Sequence, residues 1–225
     1  MKLSDYLEDF VTERRLNRIE EVLRNRTRRI VVVLEDLYQS HNASAVLRSC
    51  ECFSVQDVYV IENYNSFEPS SDVALGSSKW LTVRHYNAEN GANTRRCLQE
   101  LKDSGYRIAA TCLSSDADVL SNVSVQEPLA LCFGNEENGL SATAMELADM
   151  KITIPIHGFT QSFNISVSAA LCLYELIGRL HHEDSEWGLT EEAKKELRFD
   201  WLKKSVQHSE KIIERYSEQC QGSAK

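Results

Sequence analysis

The sequence FGNEENGL, residues 133–140, follows directly on the apolar run Leu129–Phe133. A short run of this kind is typical of a strand buried on both faces of a sheet. The segment places two adjacent carboxylates, Glu136 and Glu137, between two glycines. Because Gly134 carries no side chain, a ligand or another backbone can approach it closely. The segment alone predicts a turn, and its place after a buried strand makes it a candidate ligand loop.

Further apolar runs on either side of this segment alternate with helical patterns. Predicted strands cover residues 29–34, 57–61, 81–86, 106–113, 129–133 and 151–156. Predicted helices cover residues 42–53, 91–104, 141–147 and 166–181, with Ser141 as an N-cap and Gly105 ending the second. This alternation predicts an α/β fold with a mostly parallel sheet. The dinucleotide fingerprint G-x-G-x-x-G is absent after the first strand, so if the sheet binds a nucleotide-like cofactor, it does so elsewhere than at the first strand-to-helix turn.

Amphipathic patterns flank this alternating region. Residues 4–28 and 190–219 each predict one helix, the second opened by Thr190. The expected division is a basic helical extension at 1–28, a main domain at 29–182 and a second helical extension at 183–225.

Two more segments combine a strand end, a polar loop and a helix start. The sequence HNASAVLRS, residues 41–49, places Asn42 six residues before Arg48. The sequence IPIHGFTQSFNISVSAA, residues 154–170, ends a strand at a proline and opens a tightly packed helix with small polar residues. A helix start offers free N–H groups to a polar ligand. Taken singly, the segment at residues 41–49 is explained better by a helix cap and a solvated arginine.

In this order and spacing, the three segments resemble the SpoU (TrmH) family of RNA ribose 2′-O-methyltransferases, in the SPOUT superfamily. NASAVLRS resembles the first motif of the family, FGNEENGL matches its second, and IPIHGFTQSFNISVS resembles its third. We call them motifs one, two and three. The chain departs from the family pattern at Ser49, Ser54, Ile156 and Phe163, where threonine, glycine, methionine and leucine are usual.

The resemblance implies a SPOUT-type α/β knot, in which a trefoil-knotted, mostly parallel sheet binds S-adenosylmethionine. The implied cofactor loops are 111–113, 134–136, 154–156 and 162–164. The implied cofactor-binding residues are Thr111, Leu113, Gly134, Glu136, Ile154, Ile156, Phe163 and Asn164.

The resemblance also implies a catalytic set. Arg48 is the candidate that activates the ribose hydroxyl, with Glu136 orienting Arg48 or the substrate. Asn42, Ser162 and Asn164 complete the polar set. A guanidinium does not lose its proton at neutral pH, so Arg48 would stabilise a developing alkoxide or orient a phosphate that takes the proton.

The charge distribution bears on the expected RNA partner. The net charge is −9, but residues 1–30 carry eight Lys and Arg against six Asp and Glu. Local basic groups attract phosphates even in an acidic protein. The arginines between Arg14 and Arg29 are therefore expected to meet tRNA. The named RNA-binding candidates are Arg14, Arg15, Arg18, Arg24 and Arg48.

Cysteine usage and apolar runs indicate the compartment. The seven cysteines are odd in number, and several lie in apolar runs, which predicts buried free thiols in a reducing environment. No signal peptide pattern and no membrane-length apolar run is visible, so a cytoplasmic protein without membrane contact is expected. No metal is expected either, since His41, Cys50 and Cys52 do not have the spacing of a zinc site.

The family resemblance further implies a homodimer, with the apolar helix at 164–181 as the candidate interface; core packing is the alternative explanation of that helix. The flanking helices resemble the TrmH subgroup, which implies tRNA as substrate, modified at the D-loop guanosine at position 18. Ribosomal RNA or another tRNA nucleotide is the alternative substrate. An RNA-binding protein with an inactive methyltransferase fold is the alternative of a different class.

Overall fold

A computed structural model of the chain describes residues 3–67, 76–89, 91–182 and 186–222, which lie in two compact units. The larger unit is Thr27–Trp187. The smaller unit combines Met1–Arg26 with Gly188–Lys225, so both predicted helical extensions contribute to it.

A parallel sheet forms the centre of the larger unit. Its strands are β1 (Ile30–Glu35), β2 (Asp57–Ile61), β3 (Thr82–Tyr86), β4 (Arg107–Thr111), β5 (Asp118–Val119), β6 (Leu129–Phe133) and β7 (Met150–Thr153). Their order is β3-β2-β1-β6-β4-β7-β5, and every pairing between these described strands is parallel. The predicted parallel α/β sheet is therefore confirmed. The trefoil knot stays a prediction of the family resemblance.

Helices cover both faces of this sheet. They are α3 (Ser40–Cys52), α4 (Asn93–Asp103), α5 (Ala142–Leu147) and α6 (Ile165–Leu180). Side chains alternate along a strand, so Val32 of β1 packs in one core with α3 and α6, while Val33 packs in the other with α4 and α5. This double burial explains why β1 is apolar at consecutive positions.

The structure contains both of the helix ends that capping residues predict in this unit, one at Ser141 and one at Gly105. Ser141 accepts a hydrogen bond from the Ala144 N–H at 3.1 Å and so caps α5. Gly105, just beyond α4, has φ 86, the left-handed backbone that favours glycine. Both cap predictions are confirmed. Ser54, where the family usually has glycine, also has a left-handed φ of 63.

The strand predicted at 151–156 is too long at its carboxyl end. Strand β7 ends at Thr153, and residues 154–156 form a loop. Pro155 lacks a backbone N–H and so cannot donate to a strand ladder. The two-residue strand β5 was not predicted, because Asp118 and Val119 show no apolar alternation. Of the loop predicted at 62–78, residues 68–75 lie outside the described residues.

The smaller unit consists of α1 (Leu3–Glu8), α2 (Glu13–Asn25), α7 (Glu191–Ser205) and α8 (Ser209–Gly222) among its described residues. The single helices predicted at 4–28 and 190–219 are therefore wrong, since each is interrupted. Thr12 starts a new helix by accepting a hydrogen bond from the Arg15 N–H at 3.3 Å. His208, between α7 and α8, has a left-handed φ of 54. Thr190 caps α7 as predicted, accepting from the Ala193 N–H at 3.2 Å.

Arg198 and Trp201 of α7 contact the N-terminal helices of the smaller unit. The Arg198 guanidinium, on α7, pairs with Glu8 at 2.8 Å and also with Glu20. Trp201 is buried, and the Arg26 guanidinium lies 5.4 Å from its ring centroid. These contacts join the N-terminal helices to α7.

None of the described helices is both long enough and apolar enough to cross a bilayer. Six of the cysteines are free, and Cys50, Cys97, Cys132 and Cys172 are buried. The side chain of Cys220 lies outside the described residues. The prediction of buried free thiols is confirmed for these four.

Candidate active site

A cleft of about 730 Å³ opens at the carboxyl ends of β4, β6 and β7. Ligands of open parallel sheets bind at this edge, because the loops that follow the strands meet there. All of the predicted cofactor residues line the cleft: Thr111, Leu113, Gly134, Glu136, Ile154, Ile156, Phe163 and Asn164. The predicted catalytic residues Asn42 and Ser162 line it as well.

Gly134 is packed so closely that a side chain would not fit. A Cβ built on it would lie 2.1 Å from the carbonyl carbon of Gly139 and 2.2 Å from the nitrogen of Leu140. The close approach is fixed by paired backbone hydrogen bonds between Asn135 and Gly139, at 2.9 and 2.8 Å. Motif two is therefore a tight loop whose first glycine is required sterically.

The three motifs meet in one chain of side-chain hydrogen bonds. The Asn164 amide donates to Asn42 Oδ1 at 3.1 Å. The Asn42 amide in turn donates to Glu136 Oε1 at 2.9 Å. Asn42 is 4% exposed, so its amide has little access to competing water. Each motif thus contributes one residue to a single polar network.

The N-terminus of α3 completes the surroundings of Glu136. The backbone N–H groups of Tyr38 and Gln39 donate to its carboxylate at 3.0 and 3.3 Å. Burial raises the pKa of Glu136, but the hydrogen bonds from Asn42, Tyr38 and Gln39 outweigh burial and hold the pKa below its usual value. The carboxylate is therefore ionised at neutral pH.

We predict that Glu136→Gln lowers the free energy of unfolding at pH 7 and that this difference disappears in acid. Because the folded pKa is depressed, the ionised carboxylate stabilises the fold above its unfolded pKa, and this stabilisation is lost as pH falls through the folded pKa. Urea unfolding of both proteins between pH 3 and pH 7 measures the difference. Glu137→Gln, next in sequence and exposed, is the matched control. A difference that is constant with pH would contradict the prediction.

Arg48 lies apart from this network. It is exposed on α3 and does not line the cleft. In the described part of the chain Glu136 bonds to Asn42, Tyr38 and Gln39, and no contact with Arg48 is found. The structure therefore gives no support to the expectation that Glu136 orients Arg48. The Arg48 side chain is exposed, so its guanidinium is accessible to a ligand.

The arginines of the predicted basic cluster fall into two groups, one exposed and one engaged within the fold. Arg14, Arg15, Arg18 and Arg24 are exposed on α2, where Arg18 pairs with Glu21 at 2.8 Å. The other three arginines of the Arg14–Arg29 cluster do not form an exposed basic surface. Arg26 is buried, Arg28 Nε lies 3.1 Å from Asp57, and Arg29 donates to the Gln126 carbonyl. The expectation that these last three meet RNA is therefore corrected, because each is engaged within the fold.

Two buried carboxylates at the end of β1 were not predicted as site residues. Glu35 accepts hydrogen bonds from the Ser141 hydroxyl at 2.7 Å and from the Ser141 N–H at 2.8 Å. Asp36 has a left-handed φ of 51 and is 7% exposed. The sequence signal for these residues is an acidic pair at the end of an otherwise apolar strand, since a buried carboxylate needs internal donors. No group of three or more potential metal ligands occurs among the described residues.

The chain is similar in sequence and in structure to proteins of one known family. The model of the SpoU rRNA Methylase family matches residues 29–174. A tRNA (guanosine(18)-2′-O)-methyltransferase of Borreliella burgdorferi is 38% identical over 92% of this chain and 93% of its own length. The crystal structure of the A. aeolicus TrmH/SpoU tRNA modifying enzyme has a TM-score of 0.77 at 31% identity, covering 87% of this chain and 98% of that one. The SpoU methyltransferase AviRb from Streptomyces viridochromogenes, in complex with AdoMet, shares the fold, with a TM-score of 0.59 at 20% identity over 72% of this chain and 61% of that one.

Proposed function

The chain belongs to the SpoU rRNA Methylase family, and from this premise we propose that it transfers a methyl group from S-adenosylmethionine to the ribose 2′-hydroxyl of guanosine 18 in tRNA. The observation that carries the proposal is the network that joins Asn42, Glu136 and Asn164 at the cleft. The relative from Borreliella burgdorferi, named for this reaction, matches nearly the whole chain rather than the sheet alone.

The cleft suits the cofactor. Its wall is apolar at Leu120, Ile152 and Phe163, and polar groups at Thr111 and Asn164 stand beside that wall. The lining thus combines apolar and polar side chains, and small-molecule sites usually orient a ligand by polar groups placed beside an apolar wall. S-adenosylmethionine supplies an electrophilic methyl group on a sulfonium. Residues 111–113, 134–136, 154–156 and 162–164 would hold it.

The residues of the chain have separate tasks in this proposal. The Asn42–Glu136–Asn164 network fixes the loops, so that the reacting groups meet without rearrangement. Arg48, exposed nearby on α3, places a positive charge where the 2′-oxygen becomes negative. Because a guanidinium keeps its own proton, a phosphate of the RNA or a water takes the proton of the hydroxyl.

The smaller unit offers the tRNA a basic helix face. Arg14, Arg15, Arg18 and Arg24 are exposed on α2 and would neutralise phosphates. Such contacts release counterions, so binding of tRNA should weaken steeply as salt concentration rises. A cytoplasmic location, where tRNA substrates are found, is part of this proposal.

We also propose that the protein forms the homodimer that the family resemblance implies. Val167, Leu171 and Tyr174 follow one face of α6 and are 44%, 38% and 69% exposed. Three large side chains at these spacings form an apolar stripe that a second copy would cover. The stripe begins three residues after Asn164, so a dimer through it would bring a second chain close to the cleft.

We predict that Leu171→Asp shifts the protein towards the monomer, because a charge in an apolar interface is costly to bury. Sedimentation velocity at micromolar concentration measures the shift. Val119→Asp is the matched control, since Val119 is 37% exposed and Leu171 is 38% exposed. A wild-type protein that sediments as a monomer would contradict the dimer.

The proposed function is tested with S-adenosylmethionine carrying a labelled methyl group and an unmodified tRNA transcript. We expect label in 2′-O-methylguanosine after nuclease digestion. The control transcript carries 2′-deoxyguanosine at position 18 and should take up no label, because the accepting hydroxyl is missing. Equal labelling of both transcripts would show that guanosine 18 is not the nucleotide that is methylated. Ribosomal RNA is tested in parallel. Label in ribosomal RNA alone would overturn tRNA as the substrate, and label in neither RNA would favour a protein that binds RNA without methylating it.

A further inference from the structure

Two tyrosines, on the segments that follow β1 and β2, expose their rings to solvent. Tyr38 is 71% exposed and Tyr64 is 92% exposed. In the described ranges neither ring packs against another aromatic ring. An aromatic side chain buries more apolar area than most residues, so leaving two of them uncovered forgoes that stabilisation. Such rings are a candidate contact surface for a flat ligand.

Both tyrosines are held by their backbones rather than by their rings. The Tyr64 N–H donates to Asp36 Oδ1 at 2.8 Å, and the neighbouring Asn63 N–H donates to the same oxygen at 2.6 Å. The Tyr38 N–H donates to Glu136 Oε2 at 3.0 Å. Carboxylate hydrogen bonds of this length are strong. The backbone position of each ring is therefore fixed although the ring itself is free.

The same carboxylates tie the tyrosines to the cleft. Glu136 lines the cleft directly. The carbonyl oxygen of Asp36 accepts a hydrogen bond at 2.8 Å from the side chain of Asn135, which lines the cleft next to Glu136. Hydrogen bonds thus connect Tyr38 directly, and Tyr64 through Asp36, to motif two, which lines the cleft.

We propose that Tyr38 and Tyr64 are stacking surfaces for unpaired bases of the RNA that flank the ribose receiving the methyl group. The proposal rests on the proposed function for the identity of the RNA. Sequence-specific proteins read RNA mostly in loops, where unstacked bases lie against aromatic side chains. A ring that is fixed at its backbone and open on its face meets this requirement at a low entropic cost.

The test replaces each tyrosine by leucine, which keeps apolar bulk without an aromatic face, and by phenylalanine, which keeps the face. Fluorescence anisotropy with labelled unmodified tRNA gives Kd, and methyl transfer gives KM for tRNA. We expect the leucine variants to raise both by about 5- to 100-fold and the phenylalanine variants to stay near wild type. The Kd for S-adenosylmethionine, measured by calorimetry without RNA, should stay within about twofold, since neither ring lines the cleft.

Salt dependence separates stacking from charge. Tyr38→Leu should keep the wild-type slope of log Kd against log salt, whereas Arg18→Ala should reduce it. Leucine variants that bind tRNA as wild type does would overturn the proposal. So would equal losses from leucine and phenylalanine, which would assign the effect to the hydroxyl. A wild-type protein that binds tRNA without methylating it would refute the proposed function alone, because the binding measurements still decide the role of the tyrosines. A wild-type protein that binds a peptide or protein there and no tRNA would refute both.

Discussion

Replacing Arg48 by alanine is expected to lower the rate of methyl transfer by about 100- to 1,000-fold while leaving the Kd for S-adenosylmethionine within about twofold. The expected loss is that of removing one group that stabilises developing charge on an oxygen. The Kd for S-adenosylmethionine should change little because Arg48 is exposed on α3 and does not line the cleft. Single-turnover rates and calorimetry measure the two quantities separately.

Two controls sharpen the Arg48 experiment. Arg95→Ala removes another exposed arginine of the same unit, one paired with Glu146 at 3.2 Å, and should leave the rate unchanged. Arg48→Lys keeps the charge but loses the planar guanidinium, and should recover part of the rate. Equal losses of rate and cofactor affinity in Arg48→Ala would show that Arg48 supports the fold of the cleft instead.

Replacing Gly134 by alanine is expected to weaken binding of S-adenosylmethionine by at least about 100-fold and to destabilise the fold by about 1–3 kcal/mol. The added Cβ would lie 2.1 Å from the carbonyl carbon of Gly139, so the loop of motif two has to move. Backbone atoms on both sides of the contact leave no flexible side chain to yield. Calorimetry and urea unfolding measure the two effects.

Gly178→Ala is the matched control, and it should raise the free energy of unfolding where Gly134→Ala lowers it. Gly178 lies within α6, and a Cβ built there meets nothing within 4 Å. Alanine in a helix interior is more stable than glycine by about 0.5–1 kcal/mol. Unchanged cofactor affinity and unchanged stability in Gly134→Ala would contradict the close packing described for motif two.

The sequence predicts best what depends on burial pattern. Consecutive apolar residues in β1 indicated a strand covered on both faces, and the two cores confirm it. The same reasoning placed motifs one, two and three at strand ends and helix starts. Their convergence at one cleft follows from the parallel sheet, whose strand ends lie at one edge.

The sequence predicts poorly what depends on a partner distant in the chain. Arg26 reads as part of a basic run, but its guanidinium is buried above Trp201, some 175 residues further on. Glu136 was expected to orient Arg48 or the substrate, and the sequence did not indicate that the backbone N–H groups of Tyr38 and Gln39 donate to its carboxylate. The breaks at Thr12 and His208 interrupt apolar patterns that periodicity alone continues through. For Arg26 and Glu136 a tertiary contact decides, whereas Thr12 is a capping residue that the apolar periodicity alone does not reveal.

The pairing of Arg198 with Glu8 and Glu20 has a consequence for biosynthesis. Ribosomes deliver a chain from its N-terminus, so α1 and α2 emerge long before α7 exists to receive them. The sheet of Thr27–Trp187, by contrast, has all its strands once β7 has been made. The strands of the sheet are therefore all available before α1 and α2 can contact α7, since contacts of such large sequence separation form only after the intervening chain has been synthesised.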